Sequence, residues 1–214
     1  MKHKVNKIIL FTLSACPTGR SMGTVLREVK EKVITIEFET IYVDIQTEIT
    51  NEYRIKTNPT TLFLDHEGKE LYRVEGFQET EHILELLEQL DSKEIKGSQS
   101  YEANVETVET YTVYLYNQDS LEAVEIQQAN KTSVRAPRIT AVQILLKVRK
   151  EGFENPFPAS ASLELVQFNG SFGEITIRMT REDEQQGDKE KMRLALVKTL
   201  NHFGIDDVKL TVTH

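Results

Sequence analysis

Cys16 is the only cysteine among the 214 residues, and its surroundings make it the candidate nucleophile of the chain. A run of strand-forming residues, 8–13, ends just before it, and Pro17-Thr18-Gly19 leads from it into a helix-like segment. A strand that turns directly into a helix aims unpaired backbone N–H groups at the sulfur. The helix dipole and the charge of Arg20 would then favour the thiolate, the nucleophilic form. The competing interpretation is a small buried hydrophobic side chain, since free cysteine is often buried.

The elements expected around Cys16 are those of an alternating α/β unit. The β-branched and aromatic residues of 40–45 predict a second, buried strand, parallel to the first because a helix connects the two. The segment 48–53 suits a short helix, and the turn 66–69 joins two further β-runs into an antiparallel hairpin. Apolar residues on one face of 80–90 predict a closing helix. The predicted order is strand, helix, strand, short helix, strand, strand, helix.

This order resembles the thioredoxin fold over residues 5–92. The cysteine stands where the first strand meets the first helix, Asn58-Pro59-Thr60 opens the third strand, and Gly76 precedes the last helix. The resemblance implies that Pro59, in a cis peptide bond, lies against Cys16 and offers backbone groups to an extended peptide. It therefore implies Cys16 as the catalytic residue and a set of substrate-binding residues around it: Pro17, Thr18, Gly19, Arg20, Asn58 and Pro59.

The chain departs from thioredoxins at the positions that complete their redox chemistry. Gly19 occupies the second position of the Cys-x-x-Cys pair, and Ala15 replaces the aromatic residue that usually precedes the first cysteine. The buried acid that assists proton transfer in thioredoxins would fall near Leu10, which is apolar. A dithiol cycle on this chain alone is therefore excluded. A monothiol exchange remains open, in which Cys16 attacks a disulfide and a protein or low-molecular-weight thiol takes part as the second molecule.

Two alternatives to monothiol exchange stay open at this point. The first is a non-catalytic binding or scaffold protein whose thioredoxin fold has lost its chemistry. The second rests on the segment 14–19, SACPTG, which resembles the phosphocysteine loop in the B component of bacterial fructose phosphotransferase systems. Small residues at a helix N-terminus can hold a phosphoryl dianion. That likeness is short, and Arg20 replaces the small polar residues expected after Gly19.

The second half of the chain has a different pattern. Residues 93–109 are charged and lack apolar periodicity, which predicts a linker between domains at 1–92 and 110–214. The strand YTVYLY, a hairpin through Asn169-Gly170 and the closing segment 194–212 resemble a GerMN-type domain of bacterial sporulation and germination proteins. That resemblance implies an assembly module without a catalytic set. Other predictions for this half are a strand at 122–128, a helix at 140–150, a mobile polar loop at 181–189, a helix at 189–203 and a strand at 208–212.

Composition and charge exclude several classes of function. The net charge of −8 argues against a nucleic-acid partner held through phosphate contacts. The apolar run near the N-terminus is too short for a secretory signal or a membrane span, so the cytoplasm is the predicted location. One cysteine cannot form an internal disulfide or a cysteine-rich metal site. The consecutive carboxylates of 181–189 lack the alternating spacing of a calcium loop, so neither a metal nor a cofactor is expected.

Overall fold

The computed structural model describes residues 4–92 and 107–214 of the chain. These residues form two compact units: 4–92 with the short segment 131–135, and 107–130 with 136–214. Most of the predicted linker, 93–106, lies outside the described residues, and residues 107–109 begin a strand of the second unit. Within the described ranges, no helix is long and apolar enough to cross a membrane.

The first unit has the predicted order of elements and is a mixed α/β structure. Its sheet has the strand order β2-β1-β3-β4, with β1 parallel to β2 and β3 antiparallel to both β1 and β4. The elements are β1 (Lys7–Thr12), α1 (Pro17–Lys32), β2 (Glu37–Tyr42), α2 (Thr47–Glu52), β3 (Thr60–Leu64), β4 (Glu70–Glu75) and α3 (Thr80–Ser92).

The core of this unit lies between the sheet and the helices α1 and α3. Pro17 begins α1, where its missing N–H costs no helical hydrogen bond. From there the apolar side chains recur at helical spacing and face the central strands. The fully buried members include Met22 and Val29 of α1, Ile83 of α3, and Ile8 and Phe63 of the sheet. This packing holds the end of β1, and with it Cys16, in a fixed position.

The second strand differs from its prediction in place and in burial. It covers Glu37–Tyr42 rather than 40–45, and among the strands of the described residues it pairs with β1 alone, at the edge of the sheet. Tyr42 is 41% exposed and Ile45 is 66% exposed. The strand is parallel to β1, as predicted, but the prediction of burial is confirmed for one face only, since Ile41 and Val43 are each 1% exposed while Thr40 and Tyr42 are exposed. β-Branched and aromatic residues favour strands at a sheet edge as well as at its centre.

The second unit contains two small sheets and three helices. A hairpin pairs β5 with β6, while β8 pairs antiparallel with β7 and parallel with β9. The helices α4 and α6 pack against each other and against β5, burying Val113, Leu145 and Leu200 completely. The elements are β5 (Thr107–Asn117), β6 (Ser120–Asn130), α4 (Pro137–Lys147), β7 (Ser162–Asn169), β8 (Phe172–Arg178), α5 (Arg181–Gln186), α6 (Lys189–Asn201) and β9 (Asp207–Thr213).

The polar segment 181–189 is not a loop, as its composition predicted, but contains the short helix α5. Thr180 is the N-cap residue, and its hydroxyl accepts a hydrogen bond from the Asp183 N–H at 3.2 Å. The Asp183 carboxylate in turn accepts hydrogen bonds from the hydroxyls of Ser160 and Thr180, which lower the pKa of Asp183. The Thr-x-x-Asp spacing is a capping signature that overrides the polar composition of the segment.

Candidate functional site

Cys16 closes the turn between β1 and α1 as the N-cap residue of the helix. Its backbone is extended, with φ −85° and ψ 122°, and 8% of the residue is exposed. The side chain accepts no capping hydrogen bond from the first turn of α1, contrary to the prediction from sequence. Pro17 is half-buried, whereas Thr18 and Arg20 are exposed beside it. The helix therefore contributes its dipole to the sulfur, and the donor to the sulfur comes from elsewhere.

That donor is the side chain of Asn58, in the loop before β3. Asn58 Nδ2 lies 3.3 Å from Cys16 Sγ. Asn58 Oδ1 accepts hydrogen bonds from the Leu13 N–H at 2.9 Å and from the Thr12 hydroxyl at 3.1 Å. Because a backbone N–H can only donate, the Leu13 contact fixes which end of the carboxamide is oxygen. The amide N–H₂ must then face the sulfur, which is the acceptor of this hydrogen bond.

Pro59 follows Asn58 through a cis peptide bond and is buried. Its carbonyl accepts a hydrogen bond from the Gly76 N–H at 2.8 Å, which ties the start of β3 to the end of β4. Gly76 has φ 82°, a conformation that glycine adopts without steric cost. The next residue, Phe77, is 45% exposed and was not identified from the sequence. A lone aromatic residue in the short polar loop after Gly76 was the sequence signal that could have identified it.

A second anchor holds the turn that carries Cys16. The Asp44 carboxylate accepts hydrogen bonds from the Ser14 N–H at 3.0 Å and from the Ser14 hydroxyl at 2.7 Å. Ser14 follows β1 and Asp44 follows β2. Because parallel strands end at the same edge of a sheet, residues just beyond them can meet. The sequence contained this signal, and the pair was missed. Its effect is to fix the backbone two residues before the sulfur.

Gly19, at the position of the second thioredoxin cysteine, is buried against β1. A Cβ atom at this position would lie 1.7 Å from Thr12 Oγ1 and 2.7 Å from Thr12 Cβ. Both distances are far inside van der Waals contact, so any side chain at residue 19 would displace Thr12. Leu10, at the position of the thioredoxin acid, is 1% exposed and belongs to the hydrophobic core. The chain has no second cysteine, and among residues 4–92 and 107–214 no aspartate or glutamate is buried.

Three of the seven predicted site residues come together, and the half-buried Pro17 begins the first turn of α1, which carries the other three. Cys16, Asn58 and Pro59 come together at the ends of β1 and β3, with Asn58 touching the sulfur directly. Thr18 and Arg20 lie on the exposed first turn of α1, and Gly19 faces inward. Within the part of the chain that the structure describes, no three His, Cys, Asp or Glu side chains converge as metal ligands.

Comparisons with known proteins identify the first unit. A family model described as a thioredoxin-like domain matches residues 1–91, so the N-terminal region is a thioredoxin-like domain, as the sequence predicted. No curated protein matches the chain.

Three of the similar solved structures are thioredoxins. Chloroplastic thioredoxin z is 24% identical, with 42% of this chain and 81% of that chain covered and a TM-score of 0.38. Fasciola hepatica thioredoxin is 20% identical, with coverages of 41% and 83% and a TM-score of 0.37. The desulfothioredoxin of Desulfovibrio vulgaris Hildenborough is 19% identical, with coverages of 40% and 81% and a TM-score of 0.37.

Proposed function

We propose that the thioredoxin-like domain performs monothiol thiol–disulfide exchange through Cys16. The observation that carries the proposal is the hydrogen bond from Asn58 Nδ2 to Cys16 Sγ at 3.3 Å. A thiolate attacks a disulfide, whereas a neutral thiol is a poor nucleophile. The Leu13 N–H fixes the Asn58 carboxamide in place, so the amide can donate to the reacting sulfur with little reorganisation.

The proposed exchange has two steps and needs one outside thiol. In the first, the Cys16 thiolate attacks one sulfur of a substrate disulfide, an S–S bond forms to Cys16, and the other substrate sulfur leaves as a thiolate. In the second, the thiolate of a low-molecular-weight thiol attacks the substrate sulfur of this mixed disulfide. Cys16 leaves as a thiolate and a new disulfide joins the substrate to the small thiol. The substrate disulfide is thus opened, and the protein returns unchanged.

The remaining site residues take supporting roles in this proposal. The exposed Phe77, which follows the Gly76 that donates to the Pro59 carbonyl, would contact an extended substrate, and the exposed Thr18 and Arg20 would flank it. Gly19 is buried and lets α1 pack closely on β1. We therefore do not propose the substrate-binding role that the resemblance implies for Gly19. A compartment that supplies small thiols, such as the cytoplasm, suits the reaction.

The exchange is tested by mixing the full chain with an aromatic disulfide that releases a coloured thiolate. Because the chain has one cysteine, each equivalent of colour reports one event at Cys16. We expect one equivalent, released without denaturant, and a protein mass increased by one aromatic thiol. Adding a small thiol should restore the original mass. The Cys16→Ser variant should release no colour under the same conditions.

Two other outcomes of this experiment have defined meanings. Colour that develops only in denaturant would contradict the exchange. It would favour the second candidate, a binding protein with a degenerate site. The 8% exposure of Cys16 and the apolar Leu10 at the position of the thioredoxin acid both support that candidate. A thiol-linked phosphate on Cys16, absent from Cys16→Ser, would instead support the phosphocysteine alternative.

For the second unit we propose a role in protein assembly. The support is the resemblance of residues 110–214 to GerMN-type domains. We expect the full chain to form a defined oligomer, which sedimentation equilibrium over a range of concentrations would detect. A monomer at every concentration would contradict self-assembly. Because Cys16→Ser leaves this unit intact, it should sediment like the unmodified chain.

A further inference from the structure

The sheet of the first unit has an open groove along its outer edge, whose lining begins at Leu13 and Ser14 in the turn that carries Cys16 and continues along helix α1. The groove lies between helix α1 and strand β2, and we refer to it as the α1–β2 groove. Its wall is formed by residues of α1, and its floor by side chains of β1 and β2. The wall includes Gly23, Arg27 and Lys30, and the floor includes Leu10, Thr40 and Tyr42.

The backbone of β2 leaves hydrogen-bonding groups on this edge. The Glu37 N–H donates to the Asn6 carbonyl and the Val43 N–H donates to the Thr12 carbonyl, both at 2.9 Å, so odd-numbered residues face β1. Hydrogen-bonding direction alternates along a strand, and Phe38 and Thr40 therefore turn their N–H and C=O groups outward. Within residues 4–92 and 107–214, no strand pairs with this side of β2.

The edge is bounded at one end by the chain itself. The Tyr42 N–H donates to Gln46 Oε1 at 3.2 Å, and the Tyr42 carbonyl accepts from the N–H groups of Ile45 and Gln46. The open part is therefore the segment around Phe38 and Thr40. An unpaired strand edge is a ready template for another extended chain.

The charge of the groove is opposite to that of the chain. Its lining contains Arg20, Arg27 and Lys30, against one carboxylate, Glu39. Glu39 is already paired with Lys7 at 2.6 Å, a hydrogen bond that raises the pKa of Lys7. The groove is thus cationic on a chain whose net charge is −8. Charge complementarity favours an anionic occupant.

We propose that the α1–β2 groove binds an extended acidic peptide segment, which adds to β2 as a further strand. The backbone of the segment would pair with Phe38 and Thr40, and alternate side chains, all on one face, would point at α1. Arg27 and Lys30 are three positions apart, so they lie on one side of the helix. Gly23 leaves room above the floor, because a methyl group at residue 23 would lie 3.8 Å from its nearest side-chain neighbour, Leu10 Cδ2.

The length of the groove fits this occupant. The wall residues from Arg20 to Lys30 span about 15 Å of helix at 1.5 Å per residue. An extended segment of about five residues covers the same distance. In such a segment the carboxylates of alternate residues stand about 7 Å apart on one face, a spacing that the cations on α1 can match.

The test uses a fluorescent peptide of alternating Glu and Val, titrated against the full chain and followed by anisotropy. We expect saturable binding that weakens as salt is added. The same peptide with Lys in place of Glu should not bind. Arg27→Glu should weaken binding by about tenfold, while the matched variant Lys32→Glu, an exposed change in the same helix outside the groove, should have little effect.

Backbone pairing is tested without changing the protein. Two further peptides carry N-methyl groups, one on every Glu and the other on every Val. Since successive N–H groups of a strand point in opposite directions, only one of the two peptides loses the hydrogen bonds to β2. We expect one to bind like the parent and the other not to bind. Hydrogen exchange at the Phe38 and Thr40 amides should slow when the parent peptide is present.

Several outcomes would overturn the proposal. Equal binding of the Glu and Lys peptides would contradict recognition of the acidic side chains by the cations of α1. Equal binding of the two N-methyl peptides would contradict backbone pairing with β2. Equally effective competition by citrate would indicate a site for small anions, and competition by single-stranded DNA would indicate a polyanion site. Cys16→Ser should bind the parent peptide normally, so this result is independent of the exchange chemistry.

Discussion

Replacing Asn58 with aspartate is expected to slow the reaction of Cys16 with a neutral alkylating reagent at neutral pH by at least about tenfold. The aspartate can still accept hydrogen bonds from the Leu13 N–H and the Thr12 hydroxyl, as Asn58 Oδ1 does. The atom 3.3 Å from Cys16 Sγ changes from a donating nitrogen to an oxygen of a carboxylate. A negative charge at that distance opposes formation of the thiolate. The measurement is the alkylation rate, followed by mass spectrometry.

Two control variants separate this effect from others. Asn117→Asp places the same charge in the second unit and should leave the alkylation rate unchanged. Asn58→Leu removes both the donor and the acceptor. Unlike Asn58→Asp, which keeps the acceptor, Asn58→Leu should lower the free energy of unfolding by about 1–3 kcal/mol, because the Leu13 N–H loses its hydrogen-bond acceptor. Equal alkylation rates for Asn58→Asp and the unmodified chain would contradict the role assigned to Asn58.

Replacing Gly19 with alanine is expected to lower the free energy of unfolding by about 1–3 kcal/mol, measured by denaturant titration. The new methyl group would lie 1.7 Å from Thr12 Oγ1 and 2.7 Å from Thr12 Cβ. Rotating the Thr12 side chain cannot relieve the overlap with Cβ, and its hydroxyl is also held by Asn58. The cost therefore has to be met by moving α1 away from β1.

Gly23→Ala is the matched control, since it makes the same change four residues later in the same helix. Its methyl group would meet Leu10 Cδ2 at 3.8 Å, an ordinary contact. Alanine is the better helix former, so this variant should be more stable by about 0.5–1 kcal/mol. In a Thr12→Gly background, Gly19→Ala should cost less than in the unmodified chain. If Gly19→Ala and Gly23→Ala were equally well tolerated, the packing argument would fail.

The fold of the first unit could be predicted because several local signals agree. Pro17 marks the start of α1, the turn at 66–69 marks the hairpin, and the order of elements then leaves few arrangements of a mixed sheet. The edge position of β2 could not be predicted in the same way. It depends on whether another strand pairs with the outer side of β2, and the residue types of 40–45 do not determine this.

The site was predictable to the level of residues but not of contacts. Cys16 was named from its place between a strand and a helix, and Asn58 and Pro59 from the resemblance to the thioredoxin fold. That the donor to the sulfur would be the Asn58 carboxamide, rather than the N–H groups of α1, depends on a side-chain rotamer set by Leu13 and Thr12. For helix α5 the contact itself could have been predicted. The capping pair Thr180 and Asp183 was visible in the sequence, but the prediction of a loop gave more weight to the polar composition of the segment.

The contact between Gly19 and Thr12 also limits how the chain can evolve. A cysteine at residue 19 would give the spacing of a dithiol pair. Such a change would first meet the Thr12 side chain, so the intermediate would be selected against for instability before any resolving thiol could act. A smaller residue at position 12 would therefore have to precede a cysteine at position 19. This packing contact therefore opposes a second cysteine at residue 19 as long as residue 12 is threonine.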